Sequence, residues 1–384
     1  MAKVKEFDPV DELVRKHKVV TLRRIAEFKK GLDVYSTGIL PLDIGTGEID
    51  PNEGNGGIRS RSIVEVAGEN NCFKTGITDQ IILATQKRYP GICVAAVYSE
   101  PPNTDRMEAL GIDLDRIIAL GCYHPEVDRR KLLAEEALDT LIDFAKQTSI
   151  KVCLVDSVGA LPASKQIYTD NKERDLSEGS PVAAQANVIN HFLKEFKVHN
   201  EVSSLIMVNH WKEQINTGFG GRPMSRAYTP GGRGMEFDSD LRILTLGSPL
   251  WTGLHSKDQV KLQKGIEVNL TLFKMKISGT RAFRKTKFEF DFKTKKINNL
   301  VRLLEFSSFF GYKSGSNIIS PLSIPVAQAG SWFYIQDKSF QGIDNAVKFL
   351  EENQDMAKAL EKDILLRQEQ YYEDDKPVKG LDDE

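Results

Sequence analysis

Four short apolar runs alternate with helical patterns between residues 62 and 209, and this alternation constrains the fold more than any other feature of the chain. The runs are SIVEVA (62–67), ICVAAVYS (92–99), KVCLVD (151–156) and SSLIMVN (203–209). The helical patterns cover a stretch that begins at Lys74, then 104–111, 131–146 and 183–197. Continuous apolar strands separated by helices are typical of a parallel sheet with helices on both faces. The sequence therefore predicts an α/β fold with a mostly parallel central sheet.

The rest of the chain predicts additions to this core. DLRILTL (240–246), EVNLTLFKMKIS (267–278) and KTKFEFDF (285–292) are typical of antiparallel strands that extend the sheet. A helix over 295–311, a short strand over 330–336 and a helical run over 342–372 indicate a small C-terminal α/β domain. The predicted parts are an N-terminal helical arm (1–33), the core (34–293), the small domain (294–370) and an acidic, disordered tail (371–384).

The segment VEVAGENNCFKTGITD (64–79) nearly spells a phosphate-binding loop after the first apolar run. Gly68 opens the pattern G-x-x-x-x-G-K-[ST] and Lys74 with Thr75 closes it, but Phe73 stands at the second glycine. In such loops the backbone amides hold phosphate, the lysine reaches the β- and γ-phosphates, and the threonine hydroxyl binds Mg²⁺. A phenylalanine forced to positive φ costs about 1–2 kcal/mol, which surrounding packing can offset. The predicted loop residues are Gly68, Glu69, Asn70, Asn71, Cys72, Phe73, Lys74, Thr75 and Gly76.

Two carboxylates follow apolar runs of the same predicted sheet. Asp156 ends KVCLVD, at the position of a carboxylate that helps to hold the same Mg²⁺. Glu100 ends VAAVYSE, where a base could deprotonate a water that attacks the γ-phosphate. Ligands bind parallel sheets at the carboxyl ends of the strands, where both acids and the phosphate loop are predicted to lie. The sequence therefore predicts binding and hydrolysis of ATP, with Mg²⁺.

In the order of its motifs, the chain from about 34 to 370 resembles the RecA family of recombinases. The resemblance rests on VYSTGILPLDIGTGEI (34–49), the phosphate loop, LVDSVGALPA (154–163), MVNHW (207–211), PGGRGMEFDSDLRI (230–243), FKMKIS (273–278) and GSWFYIQDKSFQGIDNAVKFLEEN (330–353). Phe73 before Lys74, and His210 after Asn209, are similar to the T4-like bacteriophage recombinases, the UvsX group. The resemblance implies a RecA-type P-loop NTPase core. It also implies helical filaments on single-stranded DNA and ATP-dependent homologous pairing and strand exchange.

The same resemblance implies roles for residues outside the loop. His210 would sense the γ-phosphate and relay its presence to the segment that follows. Lys274 and Lys276 would reach the γ-phosphate of the adjacent subunit and neutralise the transition state as arginine fingers do. Arg106 stands where the family has a tyrosine that stacks on adenine, which leaves the base preference open. The predicted catalytic residues are Glu100, Lys74, His210, Lys274 and Lys276.

Two long stretches without a regular pattern, 162–182 and 211–233, are predicted to bind DNA. The second carries four cations against a single acid, with aromatic side chains and glycines between them. Cations interleaved with aromatic rings suit a single-stranded backbone and its bases, whereas the mixed charge of the first stretch is a weaker signal. The predicted DNA-binding residues are Lys165, Lys212, Phe219, Arg222, Arg226 and Arg233.

The amphipathic stretch 9–30 predicts a helix that cannot bury its apolar face alone. It either packs on the core or contacts a neighbouring subunit, and the resemblance implies the neighbour. The other partners implied are single- and double-stranded DNA, a single-strand-binding protein and a loader. The acidic tail could compete with DNA for basic surfaces.

Composition limits the partners and the compartment. The net charge is −2, so any binding to nucleic acid depends on local basic patches rather than on a global field. Cys93 and Cys153 lie in apolar runs and are predicted to be buried thiols, which fits a reducing cytoplasm, that of a bacterial host if the chain is phage-encoded. No apolar run approaches the roughly 18 residues that a membrane span needs, so no membrane partner is predicted.

Two other functions fit part of the pattern. A hexameric DNA helicase with the same type of core shares the phosphate loop and the strand-end aspartate, but STGILPLDIGTG (36–47) and GSWFYIQ (330–336) argue against it. A recombination mediator that binds DNA without hydrolysing ATP is favoured by Phe73, the departure from the loop pattern.

Overall fold

The computed structural model describes residues 16, 19–20, 22–50, 52–121, 133–169, 172–173, 183–215, 225–251, 262–276 and 284–367, with backbone alone at 169, 173, 213–215 and 225–228. Its helices are α1 Leu22–Lys30, α2 Leu40–Thr46, α3 Lys74–Arg88, α4 Thr104–Leu110, α5 Ala134–Ala145, α6 Ser164–Ile167, α7 Ala184–His199, α8 Gly232–Asp238, α9 Asn299–Phe309, α10 Ile343–Glu352 and α11 Gln354–Arg367. Its strands in the first half are β1 Val34–Tyr35, β2 Ile58–Arg59, β3 Ile63–Gly68, β4 Val94–Tyr98, β5 Ile117–Leu120, β6 Val152–Asp156, β7 Tyr168–Thr169 and β8 Lys172–Glu173. The later strands are β9 Ser204–His210, β10 Lys212–Ile215, β11 Ser225–Tyr228, β12 Leu241–Trp251, β13 Gln263–Met275, β14 Lys285–Asp291, β15 Lys296–Ile297, β16 Tyr312–Ser314, β17 Asn317–Ile319, β18 Val326–Ala329, β19 Trp332–Ile335 and β20 Lys338–Gln341.

Nine of these strands form one central sheet, in the order β15-β14-β13-β12-β3-β9-β6-β4-β5. From β12 to β5 every neighbouring pair is parallel. The carboxyl ends of β3, β9, β6 and β4 therefore meet at one edge of the sheet. Parallel sheets bind their ligands at this edge, and the functional residues predicted at strand ends are brought together there.

Side chains of the parallel strands alternate between two faces, and each face has its own core. On β4, Ala96 faces the cluster that includes Ile77 of α3, whereas Val97 faces the cluster of Leu138 on α5 and Phe192 on α7. Because successive strand residues point to opposite faces, a strand that is covered on both faces has to be apolar throughout. The predicted parallel sheet with helices on both faces is confirmed.

The antiparallel half of the sheet differs from the prediction at β12. This strand lies antiparallel to β13 along its whole length, but parallel to β3 over Leu241–Thr245. The expectation that 240–246 is a purely antiparallel addition is therefore wrong. A strand has two hydrogen-bonding edges, and β12 uses them to join the parallel strands to the antiparallel β13 and β14. The pattern also does not predict β5, which pairs with β4, because four residues are too few to show a period.

The helical predictions in the C-terminal third are correct only in part. Helix α9 begins at Asn299 rather than near 295, because residues 296–297 pair with β14 as β15. The run over 342–372 forms two helices, α10 and α11, that are separated at Asn353, and residues 368–372 lie outside the described ranges, as does the acidic tail. The strand predicted at 330–336 is β19, the middle strand of a three-stranded sheet with β18 and β20.

A third core connects the C-terminal helices to the N-terminal lead-in. Leu303, Phe333 and Leu360 pack there with Leu40 and Ile44 of α2. The lead-in STGILPLD therefore serves as a docking segment for the C-terminal residues.

Within α2, Asp43 is a buried carboxylate. It accepts hydrogen bonds from Ser36 Oγ at 2.6 Å, from the backbone N–H of Thr37 at 2.9 Å and from Thr37 Oγ1 at 2.5 Å. Burial raises the pKa of Asp43 to about 7 in spite of these donors, and the negative charge of Glu361 on α11 adds to the rise.

Helix α1 buries none of its residues, and Leu22 and Phe28 remain 83% and 57% exposed. The Arg61 guanidinium lies over the Phe28 ring at 5.7 Å. Residues 9–15, 17, 18 and 21 of the predicted amphipathic stretch lie outside the described ranges. In the described part of the chain, no helix is long and apolar enough to cross a membrane.

Candidate functional site

A tight loop joins β3 to α3 at the edge where the parallel strands end. It runs from Gly68 to Lys74, the first residue of α3, and two of its non-glycine residues have left-handed backbones, Asn71 (φ 59°) and Phe73 (φ 68°). Left-handed residues within a turn bring successive backbone amides to one side, which makes a concavity for anions beside the positive end of the helix. The loop therefore has the backbone shape that holds phosphate oxygens.

Phe73 has a positive φ, so the cost of a left-handed phenylalanine applies to it, and aromatic packing supports this conformation. Its ring centroid lies 4.8 Å from that of Phe290 and 5.8 Å from that of Phe288, both on β14. On the other side, a Cβ built on Gly76 would come within 2.5 Å of a ring carbon of Phe73. The glycine that the loop lacks at 73 is therefore matched by a glycine at 76, which makes room for the ring.

Lys74 folds back onto the loop. Its side chain is nearly buried, and its Nζ donates to the carbonyl oxygens of Gly68, at 3.1 Å, and Glu69. The Cys72 thiol donates to the same Glu69 carbonyl at 2.9 Å and lies 2.8 Å from Thr245 Oγ1 of β12. An anionic phosphate oxygen is a stronger acceptor than a neutral carbonyl, so the Lys74 ammonium can leave these carbonyl oxygens for a phosphate oxygen.

Asp156 and Glu100 lie at the carboxyl ends of the neighbouring strands β6 and β4. Burial raises the pKa of Asp156, and the negative charge of Glu100 adds to the rise. A hydrogen bond from Thr75 and the positive charge of Lys74 act in the opposite direction. The structure therefore brings together Asp156, Thr75, Lys74 and Glu100, as the strand-end argument predicts.

His210 ends β9 directly opposite Gly68 at the end of β3. Its ring is half-buried. Burial first, and then the positive charges of Lys74 and Lys212, lower the pKa of His210, while Glu100 raises it. A lowered pKa keeps the imidazole neutral at pH 7, so that it can donate one hydrogen bond and accept another.

The residue after His210 connects the second long loop to the phosphate loop. The backbone N–H of Trp211 donates to the carbonyl oxygen of Gly68 at 3.0 Å, the same oxygen that Lys74 Nζ contacts. The stretch 211–233 therefore begins on the phosphate loop itself.

Arg106, the residue expected near the nucleotide base, has a buried partner that sequence reasoning missed. Its Nη2 lies 2.8 Å from Oδ2 of Asp79, a carboxylate 3% exposed on α3, one turn after Thr75. Burial raises the pKa of Asp79 to about 6, although the Arg106 charge opposes the rise, and the charge of Asp156 adds to it. The available signal was an acid between the isoleucines of ITDQII, but the pattern alone does not tell which cation reaches it.

These residues fit a magnesium nucleotide. Thr75 and Asp156 supply a hydroxyl and a carboxylate oxygen, and Mg²⁺ prefers such hard ligands and takes most of the others from water and substrate phosphates. The described residues hold no cluster of three or more His, Cys, Asp or Glu side chains that could bind a metal. An ion beside Thr75 and Asp156 would therefore depend on phosphate oxygens and water for the rest of its shell.

Lys274 and Lys276 are near each other at the end of β13 but do not join the phosphate loop of their own chain. Lys274 Nζ donates to the carbonyl oxygens of Glu236 and of Phe237, the latter at 3.0 Å, and Lys276 Nζ also donates to Phe237. Both lysines therefore cap the C-terminal end of α8, where the helix dipole is negative. Burial, then the neighbouring Lys276, lowers the pKa of Lys274 to about 8.

The predicted DNA-binding residues are only partly within the described structure. Lys165 on α6, Lys212 on β10 and Arg233 on α8 are exposed. Phe219 and Arg222 lie outside the described ranges, and Arg226 is described by its backbone in β11. Both stretches expected to be irregular contain a hairpin, β7–β8 in the first and β10–β11 in the second. A hairpin closes on itself with main-chain hydrogen bonds, which polar sequences can form without an alternating pattern.

Cys93 and Cys153 are buried, as predicted. Burial raises the pKa of the Cys93 thiol and raises that of Cys153 to about 12. Both remain protonated at neutral pH and are part of the cores rather than of the site.

Comparison with known proteins agrees with this geometry. Residues 7–295 match the family model of the RecA N-terminal domain, and residues 325–368 match that of the RecA C-terminal domain. Similar relatives include Protein RecA of Aquifex aeolicus, 26% identical over 341 residues, which are 88% of this chain and 84% of the relative. Protein RecA of Marinobacter nauticus is 28% identical over 339 residues, 87% of this chain and 83% of the relative.

The N-terminal match alone covers more than half of the chain and includes the whole nucleotide site. The phosphate loop, the strand-end acids and the two-domain match agree with one another. The chain belongs to the RecA family of recombinases and is a DNA-dependent ATPase.

Proposed function

We propose that the protein assembles as a helical filament on single-stranded DNA and catalyses homologous pairing and strand exchange with duplex DNA, driven by binding and hydrolysis of ATP with Mg²⁺. One observation carries the proposal: Trp211, the first residue of the candidate DNA-binding loop, donates to the carbonyl of Gly68, the first residue of the phosphate loop. This hydrogen bond supplies a direct contact through which a change that phosphate causes at Gly68 and Lys74 can reach the DNA-binding loop.

In the proposed reaction, Lys74 leaves the loop carbonyls and binds the β- and γ-phosphate oxygens, while Glu100 accepts a proton from the attacking water. Thr75 and Asp156 would hold Mg²⁺, and the ion would supply positive charge against the phosphate oxygens. The neutral His210 donates to the γ-phosphate and reports its presence to the adjacent Trp211. Loss of the γ-phosphate removes that contact, so the loop returns to its low-affinity state.

We further propose that Lys274 and Lys276 act on the nucleotide of a neighbouring subunit. Each now donates to carbonyl oxygens at the end of α8, and an approaching γ-phosphate would draw both ammonium groups away as the stronger acceptor. The exposed apolar side of α1, with Leu22 and Phe28, is available to the same neighbour. Repeated head-to-tail contacts whose rotation does not close into a ring produce a helical filament.

The subtype proposed is that of the T4-like bacteriophage recombinases. The support is Phe73 before Lys74, with its positive φ and its packing on β14, and His210 at the sensor position. A recombinase of this type would act in the cytoplasm of a bacterial host, with a single-strand-binding protein and a loader as further partners. Lys165, Lys212, Phe219, Arg222, Arg226 and Arg233 are the residues proposed to contact DNA.

The proposal is tested by phosphate release from ATP with and without single-stranded DNA. Wild type should release phosphate faster with DNA, Lys74→Ala should release none, and electron microscopy with an ATP analogue should show long helical filaments. Closed rings would instead support a hexameric helicase. DNA binding without any phosphate release from wild type would support a non-hydrolysing mediator.

The action of the lysines in trans has its own test. Lys274→Ala and Glu100→Ala subunits are each expected to be inactive, whereas a mixture should recover part of the hydrolysis at interfaces that combine an intact Glu100 with an intact Lys274. Mixed Lys274→Ala and Lys276→Ala subunits serve as the control, because both lysines act from the same side of an interface, so that no interface in this mixture has both lysines intact. No recovery at any ratio contradicts the assignment.

A further inference from the structure

We propose that a buried ion pair, Glu65 with Arg242, is the positioning element that couples the nucleotide site to the C-terminal end of the second DNA-binding loop. The inference rests on the proposed function in one respect, because it takes 211–233 as the DNA-binding loop. It assigns a positioning role to Glu65 and Arg242, which lie outside both the phosphate loop and the stretch 211–233.

Glu65 is the centre of the network. It lies on β3, three residues before Gly68, and is fully buried. Its Oε2 accepts from Arg242 Nε of β12 at 2.5 Å, and its Oε1 accepts from Asn209 Nδ2 of β9 at 2.9 Å. The carboxylate therefore joins the phosphate-loop strand to both of its neighbours in the sheet.

Both partners of Glu65 also hold the end of the loop. Asn209 Nδ2 donates to the carbonyl oxygen of Pro230 at 2.7 Å, and Nη2 of Arg242 donates to Thr229 Oγ1 at 3.2 Å. Asn209 Oδ1 accepts from the backbone N–H of His210 at 3.0 Å. The Asn209 side chain thus connects the backbone of His210 to the carbonyl of Pro230, so a shift of His210 toward or away from phosphate would also move Pro230.

The start of the loop is connected to the Arg242 guanidinium through an aromatic ring. Arg242 lies 4.5 Å above the ring of Phe273, and the ring of Trp211 meets Phe273 edge-on at 5.7 Å. Arg242 is therefore connected to Trp211 at the start of the loop through Phe273, and to Thr229 at its end directly. A movement of either loop end relative to the phosphate loop would change the contacts of Arg242.

The chemistry of the pair suits positioning better than stabilisation. A buried ion pair adds little net stability, since the loss of hydration offsets the attraction. What arginine supplies is a planar group whose several N–H donors have fixed relative directions, so that Glu65 and Thr229 are held at one geometry. A lysine at 242 would keep the charge and could still pair with Glu65, but its single nitrogen cannot also hold Thr229 in that geometry.

The test therefore uses Arg242→Lys in the full-length protein. We expect this variant to keep the basal hydrolysis rate and the KM for ATP, and to lower the stimulation by single-stranded DNA by about tenfold, the loss typical of one hydrogen bond to a charged group. Arg302→Lys is the matched control, because Arg302 is equally buried (7% against 8% for Arg242) and pairs with Glu305 and Glu289, away from the site. It should leave the stimulation unchanged.

Full DNA stimulation in Arg242→Lys, or an equal loss of basal and stimulated rates, would overturn the inference, because a purely structural role lowers both alike. Hydrogen exchange supplies a readout that does not depend on DNA. A non-hydrolysable ATP analogue should protect the amides of 225–229 in wild type and in Arg302→Lys but not in Arg242→Lys. Equal protection in all three refutes the coupling, whereas a wild type without DNA stimulation refutes only the proposed function.

Discussion

The pairing of Phe73 with Gly76 gives the sharpest prediction about the phosphate loop. A Cβ on Gly76 would lie 2.5 to 2.7 Å from three ring carbons of Phe73, whereas carbon atoms pack best at about 3.5–4.0 Å. The ring cannot retreat freely, because Phe290 and Phe288 pack against it. Gly76→Ala should therefore overpack the loop, at a cost of about 1–3 kcal/mol.

The same substitution should have the opposite sign once the ring is removed. In a Phe73→Gly background the space above residue 76 is open, and alanine is favoured over glycine in a helix by about 0.5–1 kcal/mol. Phe73→Gly itself loses the aromatic packing, about 2–4 kcal/mol, and recovers the roughly 1–2 kcal/mol that a left-handed phenylalanine costs. The expected coupling between positions 73 and 76 is thus about 1.5–4 kcal/mol.

Urea unfolding of wild type, both single variants and the double variant, without nucleotide and followed by far-ultraviolet circular dichroism, measures this coupling. Gly76→Ala should lower the urea midpoint of wild type and raise that of Phe73→Gly. Phe73→Ala provides a control, because it removes the ring and keeps the strained φ, and it should be less stable than Phe73→Gly by about 1 kcal/mol. If Gly76→Ala shifts both backgrounds in the same direction, the packing argument for Phe73 is wrong.

Three further predictions follow from the pKa shifts. Protonation of Asp79 as pH falls through about 6 should release Arg106 and raise the KM for ATP, and Asp79→Asn should show the raised KM at pH 7.5 as well. The folded state raises the pKa of Asp43 to about 7, so this group favours folding at low pH and loses that contribution as pH rises from about 4 to about 7. The difference between the unfolding midpoints of wild type and Asp43→Asn should therefore fall over this pH range. Lys274, with a pKa of about 8, should lose its charge above that pH, so hydrolysis should decline there, while Lys274→Arg, which stays charged, should keep its rate at pH 9.

Much of the site follows from local sequence because its parts are local. A phosphate loop is one strand, one turn and one helix in succession, so Gly68, Lys74 and Thr75 can be recognised from spacing alone. Asp156 and Glu100 could be added because apolar runs mark parallel strands, and parallel strands end at a common edge. The sequence by itself thus determined the fold class, the edge that carries the site and the residues that meet there.

Only the tertiary structure decided the contacts between residues that are far apart in the chain. The support of Phe73 by Phe290, the partner of Arg106 and the capping of α8 by Lys274 depend on which strands and helices are neighbours. The Glu65–Arg242 pair spans 177 positions and exists because β12 inserts beside β3. Strand order results from packing of the whole chain, and a local period in the sequence carries no information about it.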